Sequence, residues 1–200
     1  MIKQKLKMNK GLMSGFTLIE MMVATSIFMM IMLVSMGSLI ITLGAARDAR
    51  ALRFAMDNVN FAMESMTRSI RMGTNYTCFE ANDSITDNPA PADCENGTAI
   101  SFIPQLALSD VRITYMLSEV ENSDGTTYHT IKRIDSRNGI STPIIASSID
   151  IEKLNFIVDG SSITDNKQSS VYIVIKGKVM LDGSPRYFSI QTMASQRNFQ

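Results

Sequence analysis

The chain has 200 residues and carries as many basic as acidic side chains, 19 Lys and Arg against 19 Asp and Glu. Its length suits one domain with a hydrophobic core plus one attached element. A balanced charge argues against nucleic acid as a partner, because binding to phosphates requires a basic excess. The charge is unevenly distributed: four lysines precede Gly15 with no acid among them, and residues 21–46 carry no charge.

The apolar segment, residues 21–46, is long enough to cross a membrane, since about 20 apolar residues span the hydrocarbon layer. Basic flanking residues stay in the cytoplasm, so the lysines predict a cytoplasmic N-terminus and an external chain beyond residue 47. A cleaved secretory signal has an apolar stretch of only about 7–15 residues. We therefore expect a single-pass protein of the inner membrane, in contact with lipid.

Glu20 is the unusual residue at the start of this segment. A carboxylate carried to mid-bilayer costs up to about 3 kcal/mol, so Glu20 either stays in the headgroup region or has a partner. The run from Gly15 and Phe16 through Glu20 to Ala24 resembles the processing site of type IV prepilins and type II secretion pseudopilins.

The resemblance implies the roles of three residues. A prepilin peptidase would cut after Gly15, the new N-terminal Phe16 would be N-methylated, and Glu20 would be kept for assembly. The α-amine of Phe16 could then lie near Glu20 of a neighbouring subunit. Opposite charges about 4 Å apart attract by about 4 kcal/mol at an effective dielectric constant near 20, which would favour correct axial register. The implied partners are other pilins or pseudopilins, the peptidase and an inner-membrane assembly platform.

The helical pattern continues beyond the apolar segment, since no proline precedes Pro89. Apolar residues at alternating spacings of four and three predict an amphipathic continuation over residues 47–72, and Gly73 and Asn75 predict its end. Many major pilins have a proline within the first half of this helix, so its absence here favours a minor subunit. The predicted stripe consists of Leu52, Met56, Val59, Met63, Met66 and Ile70.

Residues 73–98 are predicted to form a polar loop that contains both cysteines, Cys78 and Cys94. Outside the cytoplasm a disulfide is the natural expectation, with free thiols as the alternative, and it could contribute about 3 kcal/mol. The spacing of the cysteines does not suit a metal site. Four acidic residues could approach calcium but are better explained as a solvated loop. They are Asp83, Asp87, Asp93 and Glu95.

The remaining chain is rich in β-branched and aromatic residues and predicts six strands. A long helix followed by antiparallel strands predicts an α+β fold in which a sheet covers the helical stripe. Turns are predicted at residues 123–125 and 182–184. The strands are expected at residues 99–103, 111–118, 127–134, 149–158, 171–181 and 187–193.

This half is also similar to J-type minor pseudopilins and W-type minor pilins, which implies a tip-proximal subunit. The similarity lies in the order of short segments and in a last strand followed by Arg197. The segments are Ile113-Thr114-Tyr115, Ile131-Lys132-Arg133, Ile144-Ile145-Ala146, Leu154-Asn155-Phe156 and residues 188–197.

The predicted organisation is a cytoplasmic leader (1–15), a transmembrane and assembly helix (16–46), its amphipathic continuation (47–72) and an external β-rich domain (73–200). The only histidine, His129, is expected on a strand surface, and no catalytic or cofactor-binding motif occurs, so neither an enzyme nor a cofactor is expected. One alternative is an adhesin or DNA-capturing minor pilin with a local basic patch at Arg133 and Arg137. A plain membrane-tethered sensor or enzyme is the other.

Overall fold

The computed structural model describes residues 15–81, 89–105, 111–122, 125–162, 167–181 and 184–197. Within these residues the chain forms one helix, α1 (Leu18–Arg71), and nine strands. The strands are β1 (Gly73–Phe79), β2 (Cys94–Gly97), β3 (Ala99–Pro104), β4 (Ile113–Glu121), β5 (Thr127–Asp135), β6 (Ile140–Pro143), β7 (Ile149–Asp159), β8 (Ser170–Leu181) and β9 (Ser184–Ser195).

The chain divides into two compact units, residues 1–47 and residues 48–200. The first unit contributes an exposed stretch of α1. The second unit contains the rest of α1, all nine strands and the hydrophobic core. The fold is therefore α+β, with an apolar N-terminal helix and antiparallel sheets, as the sequence predicted.

Two antiparallel sheets form, rather than the single sheet that the sequence analysis expected. One has the strand order β1-β3-β4-β5-β6 and the other β2-β7-β8-β9. The six predicted strands correspond to β3, β4, β5, β7, β8 and β9, and pairing of β4 with β5 and of β8 with β9 confirms both hairpins. Turn residues 123–124 and 182–183 lie outside the described part of the chain.

The prediction that residues 73–98 form a polar loop was wrong, because β1 and β2 lie within it. Both are terminal strands of their sheets, and each buries few side chains, so their sequences lack a clear alternation of apolar and polar residues. Strand β6 was missed for the same reason, since all four of its residues are exposed.

Within the second unit, α1 buries one face against the sheets. Of the predicted stripe, Val59, Met63, Met66 and Ile70 are buried, whereas Leu52 is exposed and Met56 is half-buried. Leu52 precedes the first buried helical residue, Ala55, and so lies beyond the part of α1 that the sheets cover. The small side chains of Ala55 and Ala62 complete the buried face.

The last carbonyl groups of α1 are satisfied by three other segments, which explains how the helix can end inside a packed domain. The Tyr76 hydroxyl lies 2.7 Å from the carbonyl oxygen of Ile70. The backbone amide of Arg197 donates to Arg71 (2.9 Å), and that of Gln105 donates to Met72 (3.0 Å). Burial raises the pKa of the Tyr76 hydroxyl well above its usual value, so it remains a hydrogen-bond donor.

Candidate processing and assembly site

The first helical residue is Leu18, and Gly15, Phe16 and Thr17 precede α1 without helical structure. The amide of Met21 donates to the carbonyl of Thr17 (3.2 Å), which is the first bond of the helix. The amide of Glu20 donates to the Thr17 hydroxyl (3.3 Å). Thr17 is thus the N-cap of α1, and it satisfies an amide that would otherwise lack a partner.

The cap was missed by the sequence analysis although its signal is present. Thr17 and Glu20 are spaced as in a capping box, in which a Thr at the N-cap precedes a Glu three residues later. The pattern therefore gives Glu20 a second role. Its carboxylate lies in the first turn of α1, where the partial positive charge of the helix terminus favours an anion.

The Gly15–Phe16 peptide bond lies outside the helix and is open to solvent. Phe16 is 78% exposed, and a Cβ atom placed on Gly15 would have no neighbour within 4 Å. A protease binds its substrate in extended form, and a backbone that is already free of helical hydrogen bonds can adopt that form at little cost. The structure therefore leaves this peptide bond accessible.

Residues 15–43 are exposed throughout, and most of the side chains in residues 18–43 are large and apolar. The helix contains an apolar window long enough to cross a membrane. Hydroxyl groups within it bond to their own helix: Thr25 to Met21 (2.9 Å), Ser26 to Val23 (2.8 Å) and Thr42 to Ser38 (2.8 Å). Internal hydrogen bonds of this kind lower the cost of placing hydroxyls among lipid tails or apolar helices.

The carboxylate of Glu20 differs from those hydroxyls. Within the described residues it makes no ion pair or hydrogen bond. In an apolar environment, a charge that has no partner among the described residues is costly unless another group supplies one.

In the second unit, Cys78 of β1 and Cys94 of β2 form a disulfide with Cα atoms 6.2 Å apart, a separation that suits such a bond. Because β1 and β2 belong to different sheets, the bond joins the two sheets covalently. Gly97 lies against it: a Cβ atom at this position would be 2.8 Å from the Cβ atom of Cys78.

His129 lies on the surface as expected, and it takes part in a polar cluster that also joins the two sheets. Its backbone amide donates to Asp150 of β7 (2.8 Å), and Lys178 of β8 pairs with Asp150 (3.3 Å) and Glu152 (3.2 Å). Partial burial would raise the pKa of Asp150, but hydrogen bonds from His129 and Lys178 outweigh it and hold that pKa below its usual value. Hydrogen bonds to Glu152 and Asp150 raise the pKa of Lys178.

The other acidic and basic residues that the sequence analysis named do not converge. Asp93 accepts a hydrogen bond from the amide of Ser161 (2.7 Å), and Arg133 pairs with Asp135 (3.7 Å). Asp83 and Asp87 lie outside the described residues. In the part of the chain that the structure describes, no group of three or more metal-binding side chains occurs.

Residues 13–36 match the family model of the prokaryotic N-terminal methylation motif. No curated protein and no solved structure matches the chain. The matched residues include Gly15, Phe16 and Glu20. In this motif, in its capped apolar helix and in its antiparallel sheets, the chain is similar to pilin-like subunits. Within that class the motif supports a likeness to type IV prepilins and pseudopilins.

Proposed function

We propose that prepilin peptidase cleaves the chain between Gly15 and Phe16, that Phe16 is N-methylated, and that α1 then packs with sister helices in a type IV pilus or type II secretion pseudopilus. The observation that carries this proposal is the exposed Gly15–Phe16 bond. It directly precedes a capped helix whose first turns have an apolar surface without a partner in the described chain.

Cleavage changes the chemistry of the helix start. It creates an α-amine on Phe16, four residues before Glu20. In a bundle of staggered helices, that amine supplies a partner that the Glu20 carboxylate lacks among the described residues. Pairing the two charges in an apolar bundle is favourable only where they meet closely, so the pair selects one axial register.

The proposed organisation follows from charge and chemistry. Residues 1–15 form a cytoplasmic leader, residues 16–46 a transmembrane and assembly helix, residues 47–72 its amphipathic continuation, and residues 73–200 an external domain. The basic leader supports a cytoplasmic N-terminus in the inner membrane. The Cys78–Cys94 disulfide supports an oxidising compartment for the domain.

The subunit acts by assembly and not by catalysis, with other pilins or pseudopilins, the peptidase and an inner-membrane platform as partners. A minor, tip-proximal position is favoured by the absence of a proline in the first half of α1 and by the similarity of residues 99–200 to J-type and W-type subunits.

The assembly step is tested with Glu20→Gln, which keeps the size of the side chain and the capping pattern but removes the charge. We expect normal cleavage at Phe16 and at least tenfold less of the variant in sheared fibres, since loss of a charge-pair contact worth about 1.4 kcal/mol changes an equilibrium tenfold. Glu20→Asp is the matched control and should assemble partly. Normal assembly of Glu20→Gln would contradict the proposed charge pair.

A further inference from the structure

Among the described strands, β9 forms one edge of its sheet and pairs with β8 alone. The amide of Gln196 donates to the carbonyl of Ser169 (2.9 Å), the residue opposite to it in the continued register. In an antiparallel pair such bonded positions alternate with positions whose peptide groups point away from the partner strand. The open side of β9 therefore presents the amides and carbonyls of Tyr187, Ser189, Gln191, Met193 and Ser195.

The hydrogen bond of Arg197, just beyond β9, agrees with this alternation. Arg197 follows Gln196, so its amide points to the open side, and there it donates to the carbonyl of Arg71 (2.9 Å). Elsewhere along this side, no hydrogen bond to the five outward peptide groups occurs among the described residues. Within the described part of the chain, the edge thus has backbone donors and acceptors without partners over about nine residues.

An edge of this length is unusual because proteins commonly protect such strands with charges or prolines. In β9 these occur only at the start, where Pro185 and Arg186 stand, and residues 187–196 carry no charge. Tyr187 and Met193 are 68% and 51% exposed on the outer face. Tyr and Met are enriched at the centres of protein interfaces.

A groove runs between this open edge and the second part of α1. Its narrower section, about 350 Å³, lies between Asn60 and Thr67 of the helix and Gln191 of β9. Its wider section, about 770 Å³, is lined by Arg71 and Arg197. An extended segment paired with β9 would lie along this groove, with one of its termini beside the two arginines.

The charges of the groove indicate the chemistry of its occupant. Glu64 and Arg68 also line the groove, but they pair with each other (3.2 Å). The Arg71 guanidinium makes no ion pair within the described residues, so the wide end has an excess of positive charge. A segment that is uncharged beside residues 187–195 and acidic at the wide end would complement the groove, because guanidinium groups bind carboxylates through paired hydrogen bonds. The C-terminus of α1 carries a partial negative charge, which disfavours a nearby carboxylate. The acidic residue must therefore contact the arginines directly.

A second copy of this chain supplies no such segment from its described sheet edges. The terminal strands β2 and β6 have four residues each, and β1 is interrupted by a register shift. Strand β9 is long enough, but Arg186 and Arg197 flank its uncharged stretch, so pairing of β9 with itself would bring like charges together.

We propose that the open edge of β9 binds an extended segment of a different pilin-like subunit by antiparallel strand addition, with an acidic residue at the start of that segment beside Arg71 and Arg197. Strand addition supplies affinity through backbone hydrogen bonds, and the charge at the end fixes register and partner. The proposal rests on the assembly function proposed above, because it assigns the partner to the same fibre.

The direct test uses the full chain in detergent micelles and a fluorescein-labelled, acetylated probe peptide, Glu-Thr-Val-Thr-Val-Thr-Val, read by fluorescence anisotropy. A twin peptide has Lys in place of Glu. We expect saturable binding of the acidic probe and about tenfold weaker binding of the twin, since the twin loses charge-assisted hydrogen bonds to the arginines. Equal binding of both peptides, or no binding of either, would overturn the proposal.

The edge is tested with Gln191→Pro, which removes one outward amide and places a ring on the open side without breaking a bond to β8. We expect loss of probe binding, whereas Gln191→Thr keeps it within about twofold because its backbone is unchanged. Ser189→Pro is the second edge variant, for use if the circular dichroism spectrum of Gln191→Pro differs from that of the unmodified chain. Binding by a folded proline variant at the original affinity would refute strand addition.

The charge is tested with Arg71→Gln, which should reduce binding of the acidic probe to that of its Lys twin. Arg186→Gln, at the other end of β9, is the control and should leave binding unchanged.

In cells, a photo-crosslinker at Ser189 should join the chain to a second protein that carries the N-terminal methylation motif. A crosslink between two β9 strands of this chain would overturn the choice of occupant. Probe binding does not require cleavage at Phe16, so its failure is distinct from failure of the proposed processing.

Discussion

The backbone amide of Glu20 lies 3.3 Å from the hydroxyl oxygen of Thr17, so one residue caps α1 and the other occupies its first turn. In the proposed function, this relationship would connect processing with assembly. The cap sets the start of α1 at Leu18, two residues after Phe16, and places Glu20 in the first turn. A weaker cap would let the first turn unwind, and Glu20 would then spend less time in register with a neighbour.

Thr17→Ala should therefore reduce assembly more than cleavage. Loss of an N-cap costs about 1 kcal/mol of helix stability, so we expect a severalfold lower fibre fraction with cleavage at Phe16 retained. Thr17→Ser, which keeps the hydroxyl, is the matched control. The measurement is the fraction of processed subunit in sheared fibres. Equal fibre fractions for the Ala and Ser variants would show that the cap does not position Glu20.

The Cys78–Cys94 disulfide should stabilise the β-rich domain by about 3 kcal/mol, because it closes a loop with a sequence separation of 16 residues and joins the two sheets. The double substitution of Cys78→Ser with Cys94→Ser should lower the free energy of unfolding by that amount in denaturant titrations. The unmodified chain should bind no thiol-alkylating reagent until it is reduced. Alkylation of both cysteines in unreduced protein from membranes would instead favour the free-thiol alternative.

Gly97→Ala should be destabilising, by about 1–3 kcal/mol, because the added Cβ atom would lie 2.8 Å from the Cβ atom of Cys78 and the disulfide leaves that atom little freedom to move. The nearby exposed residue Glu95 supplies the control, Glu95→Ala, which should change stability little. Thermal unfolding followed by circular dichroism measures both. An unchanged unfolding temperature for Gly97→Ala would contradict this expectation. It would show that β1 and β2 can move apart at the disulfide to make room for the added Cβ atom.

Asp150 should make the domain sensitive to acid. Its pKa in the folded state lies below its usual value, so its ionised form stabilises the fold above the unfolded pKa of about 3.9, and this contribution is lost as the pH falls through the folded pKa. Asp150→Asn should be less stable than the unmodified chain at pH 7, with the difference vanishing in the acid range below about pH 4. Unfolding titrations at several pH values measure the difference.

Asp57→Asn provides the control for that series, since Asp57 is an exposed residue of α1. This variant should show the same dependence of stability on pH as the unmodified chain. If Asp150→Asn and the unmodified chain lost stability in parallel from pH 7 to pH 3, the contact between His129 and Asp150 would not stabilise the folded state.

Periodicity was enough to predict α1 and six strands, because residues such as Val59 and Met66 are buried at helical spacing and β8 alternates between its two faces. It could not predict β1, β2 and β6, whose side chains are mostly exposed and whose pairing depends on residues distant in the chain. The division into two sheets depends on those same long-range pairings. Leu52 shows a related limit, since its helical spacing cannot reveal where the sheets stop covering the helix.

The candidate site was easier to predict from the sequence than the fold around it. Gly15, Phe16 and Glu20 stand in a short local pattern, and that pattern is the part of the chain that matches the N-terminal methylation motif. The spacing of Thr17 and Glu20, which is typical of a helix cap, lies in the same short segment. The open edge of β9 and its arginines were not predictable, because Arg71 and Arg197 come together only when the helix and the last strand end side by side.

The most direct test of the central claim is the intact mass and N-terminal sequence of the protein from membranes of cells with and without prepilin peptidase. We predict a mature chain that starts at N-methylated Phe16 in the first case and a chain that retains its leader in the second. A chain that retains its leader in both, or one that starts elsewhere with the peptidase present, would contradict the account.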